Sequence, residues 1–133
     1  MRRWFGRITI AVLIAELAGI VCLVALVALF GPRDAVAAQH FAERLGLIVG
    51  PLTGFVFCLA GGWWAARGSA RPLASGVGVG VTAALLDLGI GVAFGMGFAP
   101  ILLASNVGRV LAGSIGGALA ARGATAPNDA DTR

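Results

Sequence analysis

GGWWAARG, residues 61–68, decides how this chain is read, because it returns 55 positions later as GGALAARG, residues 116–123. Each copy closes a long apolar run with a Gly-Gly step, small residues and an arginine. A further apolar run precedes each of these runs. The pattern predicts two related halves, each a transmembrane helical hairpin, and so an all-α, integral membrane four-helix bundle. The expected spans are about residues 8–30, 45–66, 73–99 and 101–121, within one transmembrane domain over residues 1–122. Residues 123–133, with Pro127, Asp129 and Asp131, read as a disordered cytoplasmic tail.

The first helices of the two halves also correspond. Glu16-Leu17-Ala18-Gly19 resembles Asp87-Leu88-Gly89, which puts an acid at a similar place in each hairpin. A longer outer loop in the first half absorbs the different offset. Both hairpins begin and end on one side, so the repeats are expected to be parallel. Arg109 breaks the symmetry, since its counterpart at the offset of 55 is Gly54.

Composition agrees with a bilayer. Hydrophobic residues make up 59% of the chain and charged residues only 12%. That leaves too little polar surface to coat a fold of this size in water. The net charge of +4 does not indicate nucleic acid, because the arginines stand at the ends of apolar runs and not in one patch. Arg2, Arg3, Arg7, Arg67, Arg71, Arg122 and Arg133 fall on one side, against Arg33 and Arg44 on the other. The expectation is a multi-pass protein of the bacterial inner membrane with N- and C-termini cytoplasmic.

Along the chain, the run from Ile8 to Phe30 exceeds the apolar stretch of about 7–15 residues in a signal peptide, and it contains Glu16. A span is therefore expected, although Ala35-Val36-Ala37 resembles a cleavage site. Gly31-Pro32 stops this helix. Asp34 is placed to cap a helical turn carrying Val36, His40, Phe41 and Arg44, read as an interfacial helix that leads into the second span. His40, the sole histidine, reads as solvated. In the second span Gly46, Gly50 and Gly54 form a stripe that suits close helix packing, and Pro51 is expected to kink it. Trp4, Trp63 and Trp64 read as anchors at the headgroup level. The third span is rich in glycine, yet Gly76, Gly78 and Gly80 give GxGxG and not the dinucleotide fingerprint GxGxxG. A helix is still expected there, because in lipid the backbone must satisfy itself. After a short turn at Pro100, the fourth span carries a second small-residue stripe of Ala104, Gly108, Ala112, Gly116 and Ala120.

Chemistry-bearing residues are few. Cys22 and Cys58 lie about 10 Å apart in depth, too far for a disulfide, and neither has a partner at metal-ligand spacing. No Ser–His–Asp, His–Cys or metal cluster is present, so no enzyme, cofactor or metal is expected. What remains is an intramembrane charge set, Glu16, Asp87 and Arg109, with Asn106 one turn from Arg109. Each such charge costs at least ~2.5–3.5 kcal/mol at mid-membrane. By helical rise, Asp87 and Arg109 share a depth of about 17–20 Å and Glu16 lies at about 12–13 Å. A bidentate Asp87–Arg109 pair supported by Asn106 is expected. Glu16 then either joins Arg109 as a second acceptor or holds a proton.

Two resemblances bear on function. Ala15-Glu16 with Gly19, in the first of four helices, resembles the start of the small multidrug resistance transporters. That likeness implies a homodimer in which Glu16 is the shared proton and substrate carboxylate. The family has no arginine corresponding to Arg109, and its members lack so strong an arginine bias. The GGxxAxR end of the second helix, followed by a glycine-rich third helix, resembles small uncharacterised bacterial four-helix membrane proteins, a likeness that brings no activity with it. The expected function is that of a small polytopic inner-membrane protein. Its partners would be the lipid bilayer and either further copies, as a homo-oligomer, or another membrane protein. The alternative is a proton-coupled small-molecule efflux carrier working as a homodimer through Glu16.

Overall fold

The computed structural model describes residues 2–93 and 100–124. They form four helices: α1 (Arg2–Phe30), α2 (Ala35–Ala66), α3 (Pro72–Ala93) and α4 (Pro100–Ala124). There is no strand among the described residues, and all four helices are long and apolar enough to cross a membrane. The end of the expected third span, with Gly95 and Gly97, lies outside the described residues, as do Pro127, Asp129, Asp131 and Arg133.

Local chemistry sets the helix boundaries. α1 ends where Gly31 N–H closes onto Val27 O at 2.8 Å, one residue before Pro32. Asp34 then caps α2: its backbone is extended and its Oδ1 accepts from Ala37 N–H at 2.9 Å. The expected interfacial helix is not a separate element. It is the first part of one uninterrupted helix, which also runs through Pro51. Thr53, two residues on, donates its hydroxyl back to Val49 O at 2.7 Å and gives the backbone beside Pro51 an extra donor. At the far end Arg67 N–H closes onto Trp63 O, and Gly68, at φ +69°, takes the left-handed turn a side chain would resist. Pro72 and Pro100 open α3 and α4, where a missing N–H costs nothing.

The helices pack as a rhombus. α2 and α3 touch along the short diagonal, each of them touches both α1 and α4, and α1 and α4 do not approach one another. The N-terminal ends of α1 and α3 gather with the C-terminal ends of α2 and α4. Trp4 Nε1 donates to Ser75 Oγ at 2.7 Å, and Arg7 donates to the carbonyls of Trp64 (2.8 Å) and Arg67 (2.7 Å). The Arg67 guanidinium lies 3.9 Å over the Trp63 ring and that of Arg7 lies 5.1 Å over Trp64. All three tryptophans thus stand at one end. The core there is made of small side chains, among them Ala11, Val12, Cys58, Val79, Ala83 and Ala112. Cys22 and Cys58 are both free thiols.

Glycine sets how closely α4 is held. A Cβ on Gly62 would lie 2.6 Å from Gly113 O, and one on Gly80 would lie 2.7 Å from Val110 Cα. A Cβ on Gly116 would likewise run into the backbone of Leu59 and Trp63. The two Gly-Gly stretches that organise the sequence therefore lie against one another where α2 and α4 run side by side. Close backbone approach of this kind holds helices together where apolar burial offers little drive.

Candidate functional site

Arg109, on α4, is only 5% exposed and touches all three other helices. Its Nη1 donates to Glu16 Oε1 on α1, and its Nη2 donates to Asp87 Oδ1 on α3 at 3.1 Å. Its Nε lies against Gly54 on α2, 2.8 Å from where a Cβ would stand. Because α1 and α4 are not neighbours, the guanidinium reaches Glu16 only by crossing the bundle. Gly54 leaves it the room to cross. The symmetry mismatch of the sequence, arginine opposite glycine at an offset of 55, is thus a steric match between adjacent helices.

The expected bidentate Asp87–Arg109 pair is not formed. Arg109 gives one nitrogen to each acid, and the second Asp87 oxygen is taken by Asn106, whose Nδ2 donates to Oδ2 at 3.0 Å. The same Nδ2 donates to Leu102 O at 2.9 Å. Of the two options left to Glu16, the structure displays the second acceptor on Arg109. The guanidinium is divided because the acids approach it from different helices, so no single carboxylate can face its whole fork. Among the described residues, two buried side-chain atoms have no hydrogen-bond partner, Asn106 Oδ1 and Arg109 Nε. The Glu16 and Asp87 side chains keep 18% and 23% exposure, against 6% for Arg109. With both acids ionised, the network carries one more negative than positive charge. Cys58 is buried one turn from Gly54 and adds a neutral thiol.

The small-residue positions divide. On α2, a Cβ on Gly50 would meet nothing within 4 Å, and one on Gly46 would meet only the Leu23 side chain at 3.8 Å. Within one chain, then, that stripe brings no two backbones together: Gly54 faces the Arg109 side chain, Gly46 the Leu23 side chain, and Gly50 open space. On α4, Ala112 is fully buried and Gly116 meets the α2 backbone, whereas Gly108 has only the Phe55 ring, at 3.9 Å. Besides Gly116, the close backbone contacts fall on Gly62, Gly76, Gly80, Gly113 and Gly117, which lie outside the two expected stripes. The Gly-Gly repeat was the signal that held two of them.

Beside Gly108 the α2–α4 surface opens into an apolar groove of about 560 Å³, lined by Pro51, Leu52, Phe55, Ala104, Ser105 and Gly108 among others. A second groove of about 250 Å³ lies between α1 and α2. None of Glu16, Asp87 and Arg109 lines either groove. His40 is far from the network, exposed at the opposite end, with its Nδ1 3.4 Å from Glu43 Oε2. No family model, no curated protein and no solved structure matches the chain.

Proposed function

We propose that this chain is a small polytopic protein of the bacterial inner membrane, built as two related hairpins with both termini cytoplasmic, that works by self-association. The observation that carries the reading is the division of the α4 stripe. Its lower half, Ala112 and Gly116, is used up against α2. Its upper half, Ala104 and Gly108, lines an open apolar groove. Small residues let a helix backbone come close, and in lipid that closeness is what favours association. A helix of a second copy suits such a groove better than a lipid tail, which gains nothing special from glycine. In this reading the charge network is internal: Arg109 ties α1, α3 and α4 together, and the ion pairs fix which helices meet.

Gly108→Leu tests this. In wild-type membranes, cross-linking should trap a dimer or higher species. Gly108→Leu should yield monomer with an unchanged melting temperature, while Leu17→Phe, on the exposed face of α1, should leave assembly intact. A wild type that stays monomeric at high protein-to-lipid ratio would sink the proposal. The efflux-carrier reading rests on the residual exposure of Glu16. It is the weaker of the two, because Glu16 is bonded to Arg109 and lines neither groove.

A further inference from the structure

We propose that the groove between α1 and α2 binds an anionic phospholipid, with the phosphate on Arg7 and one acyl chain along the groove. The inference rests on the membrane reading of the chain and not on self-association. The groove, of about 250 Å³, is lined by Ala11, Ile14, Phe57, Ala60, Gly61 and Trp64 among others. It faces outward from the bundle, since Ile14 is 60% and Trp64 41% exposed. From Phe57 to Trp64 it follows α2 for seven residues, about 10 Å. Trp64 closes one end, and the Arg7 guanidinium stands there, 5.1 Å over the Trp64 ring. An apolar channel that ends at a fixed cation matches the two halves of a phospholipid.

Arg7 is held by groups that leave its charge uncompensated. Nη1 donates to Arg67 O and Nη2 to Trp64 O, at 2.7 and 2.8 Å. Both acceptors are neutral carbonyls, and the two bonds use two of the five N–H donors of a guanidinium. The Arg67 guanidinium, 3.9 Å over the Trp63 ring, adds a second positive charge at the same end. Among the described residues no carboxylate pairs with Arg7, Arg67 or Arg71. The described acids lie elsewhere: Glu16 and Asp87 are bonded to Arg109, Asp34 caps the start of α2, and Glu43 pairs with His40. A phosphate at this end would meet donors that are already oriented.

Charge also decides between a lipid and a second copy. Copies inserted by the same topology signals share one orientation, so a second copy would bring its own Arg7, Arg67 and Arg71 against this end. The groove differs from the one at Gly108 in its glycine as well. A Cβ on Gly61 would meet Ala11 Cβ at 3.4 Å and Val79 Cγ1 at 3.6 Å, so this glycine is spent inside the chain and offers no close approach to another backbone. A free anion would satisfy Arg7 and leave the apolar groove unused. An anionic phospholipid uses both.

The test places the purified chain in nanodiscs of equal parts phosphatidylglycerol and phosphatidylcholine and reads, by native mass spectrometry, which lipid stays bound on release. The expected result is retention of phosphatidylglycerol over phosphatidylcholine by about fivefold, the worth of one arginine at the membrane surface. Arg7→Gln should lose the preference. So should Ala60→Trp, which fills the groove and leaves Arg7 in place, and which decides the matter where Arg7→Gln does not fold. Arg44→Gln, at the opposite end, should keep it. Equal retention of the two lipids by the wild type overturns the proposal, as does a preference that survives undiminished in Ala60→Trp. Inorganic phosphate that raises the melting temperature in detergent as much as phosphatidylglycerol does overturns it too, because a free anion then suffices. A chain that never enters the discs refutes the membrane reading and this site with it, whereas equal retention refutes the site alone.

Discussion

Gly54→Ala is a one-carbon test of how Arg109 crosses the bundle. The new Cβ would lie 2.8 Å from Arg109 Nε, 3.1 Å from Cζ and 3.2 Å from Nη2. Comfortable contact between such atoms is about 3.5–4.0 Å, so the guanidinium must retreat by about 0.5–1 Å. It is not free to do so, because Nη1 is held by Glu16 and Nη2 by Asp87. Overpacking of this kind costs about 1–3 kcal/mol, rising toward about 3–5 kcal/mol if the retreat strands one carboxylate. Alanine also gains up to about 1 kcal/mol of helix propensity over glycine. Gly50→Ala calibrates that gain, since its Cβ meets nothing within 4 Å. Equilibrium unfolding in mixed micelles should show Gly50→Ala neutral or slightly stabilising and Gly54→Ala destabilised by about 1–3 kcal/mol. The decisive comparison repeats Gly54→Ala in a chain that also carries Glu16→Gln, Asp87→Asn and Arg109→Leu. There the penalty should vanish, giving a coupling of about 1–3 kcal/mol between Gly54 and the network. If Gly54→Ala behaves like Gly50→Ala in the intact chain, the guanidinium does not depend on this gap and the reasoning fails.

Three further outcomes are expected. Arg109→Leu alone leaves two acids without their cation and should cost about 3–5 kcal/mol, most of it recovered when Glu16→Gln and Asp87→Asn are added, as chemical unfolding of the three variants can establish. Gly113→Ala places a Cβ 2.8 Å from Gly80 N and 3.0 Å from Gly80 Cα, where only backbone can yield; its melting should report a loss of about 3 kcal/mol, at the upper end of overpacking. Cysteine labelling at Ser69 and at the C-terminus should report the same, cytoplasmic side and labelling at His40 the opposite one; an external Ser69 would refute the proposed topology.

Much of this molecule is written in its one-dimensional pattern. Long apolar runs of this length suit helices, whose backbone satisfies its own donors and acceptors. The stops are equally local: Pro32 ends α1, the Asp34 carboxylate caps α2, and Pro72 and Pro100 open α3 and α4. Glu16, Asp87, Arg109 and Asn106 stand out in the sequence because polar groups are so rare around them. The early start of α2, at Ala35, is less plain in the sequence. Gln39, Glu43 and Arg44 break its apolar run, but helical hydrogen bonds are indifferent to that polarity.

Only the tertiary structure decided which helices are neighbours and what each glycine meets. Soluble helices announce their buried face by an apolar stripe. Here every face is apolar, so periodicity cannot tell a face packed on a helix from a face left open. Gly50 and Gly54 look alike in the sequence, yet one meets open space and the other meets Arg109. The division of Arg109 between two acids was hidden for the same reason. Depth along a helix follows from counting residues, but which helices a side chain reaches depends on the rhombus, in which α1 and α4 stand apart and a long side chain must cross between α2 and α3.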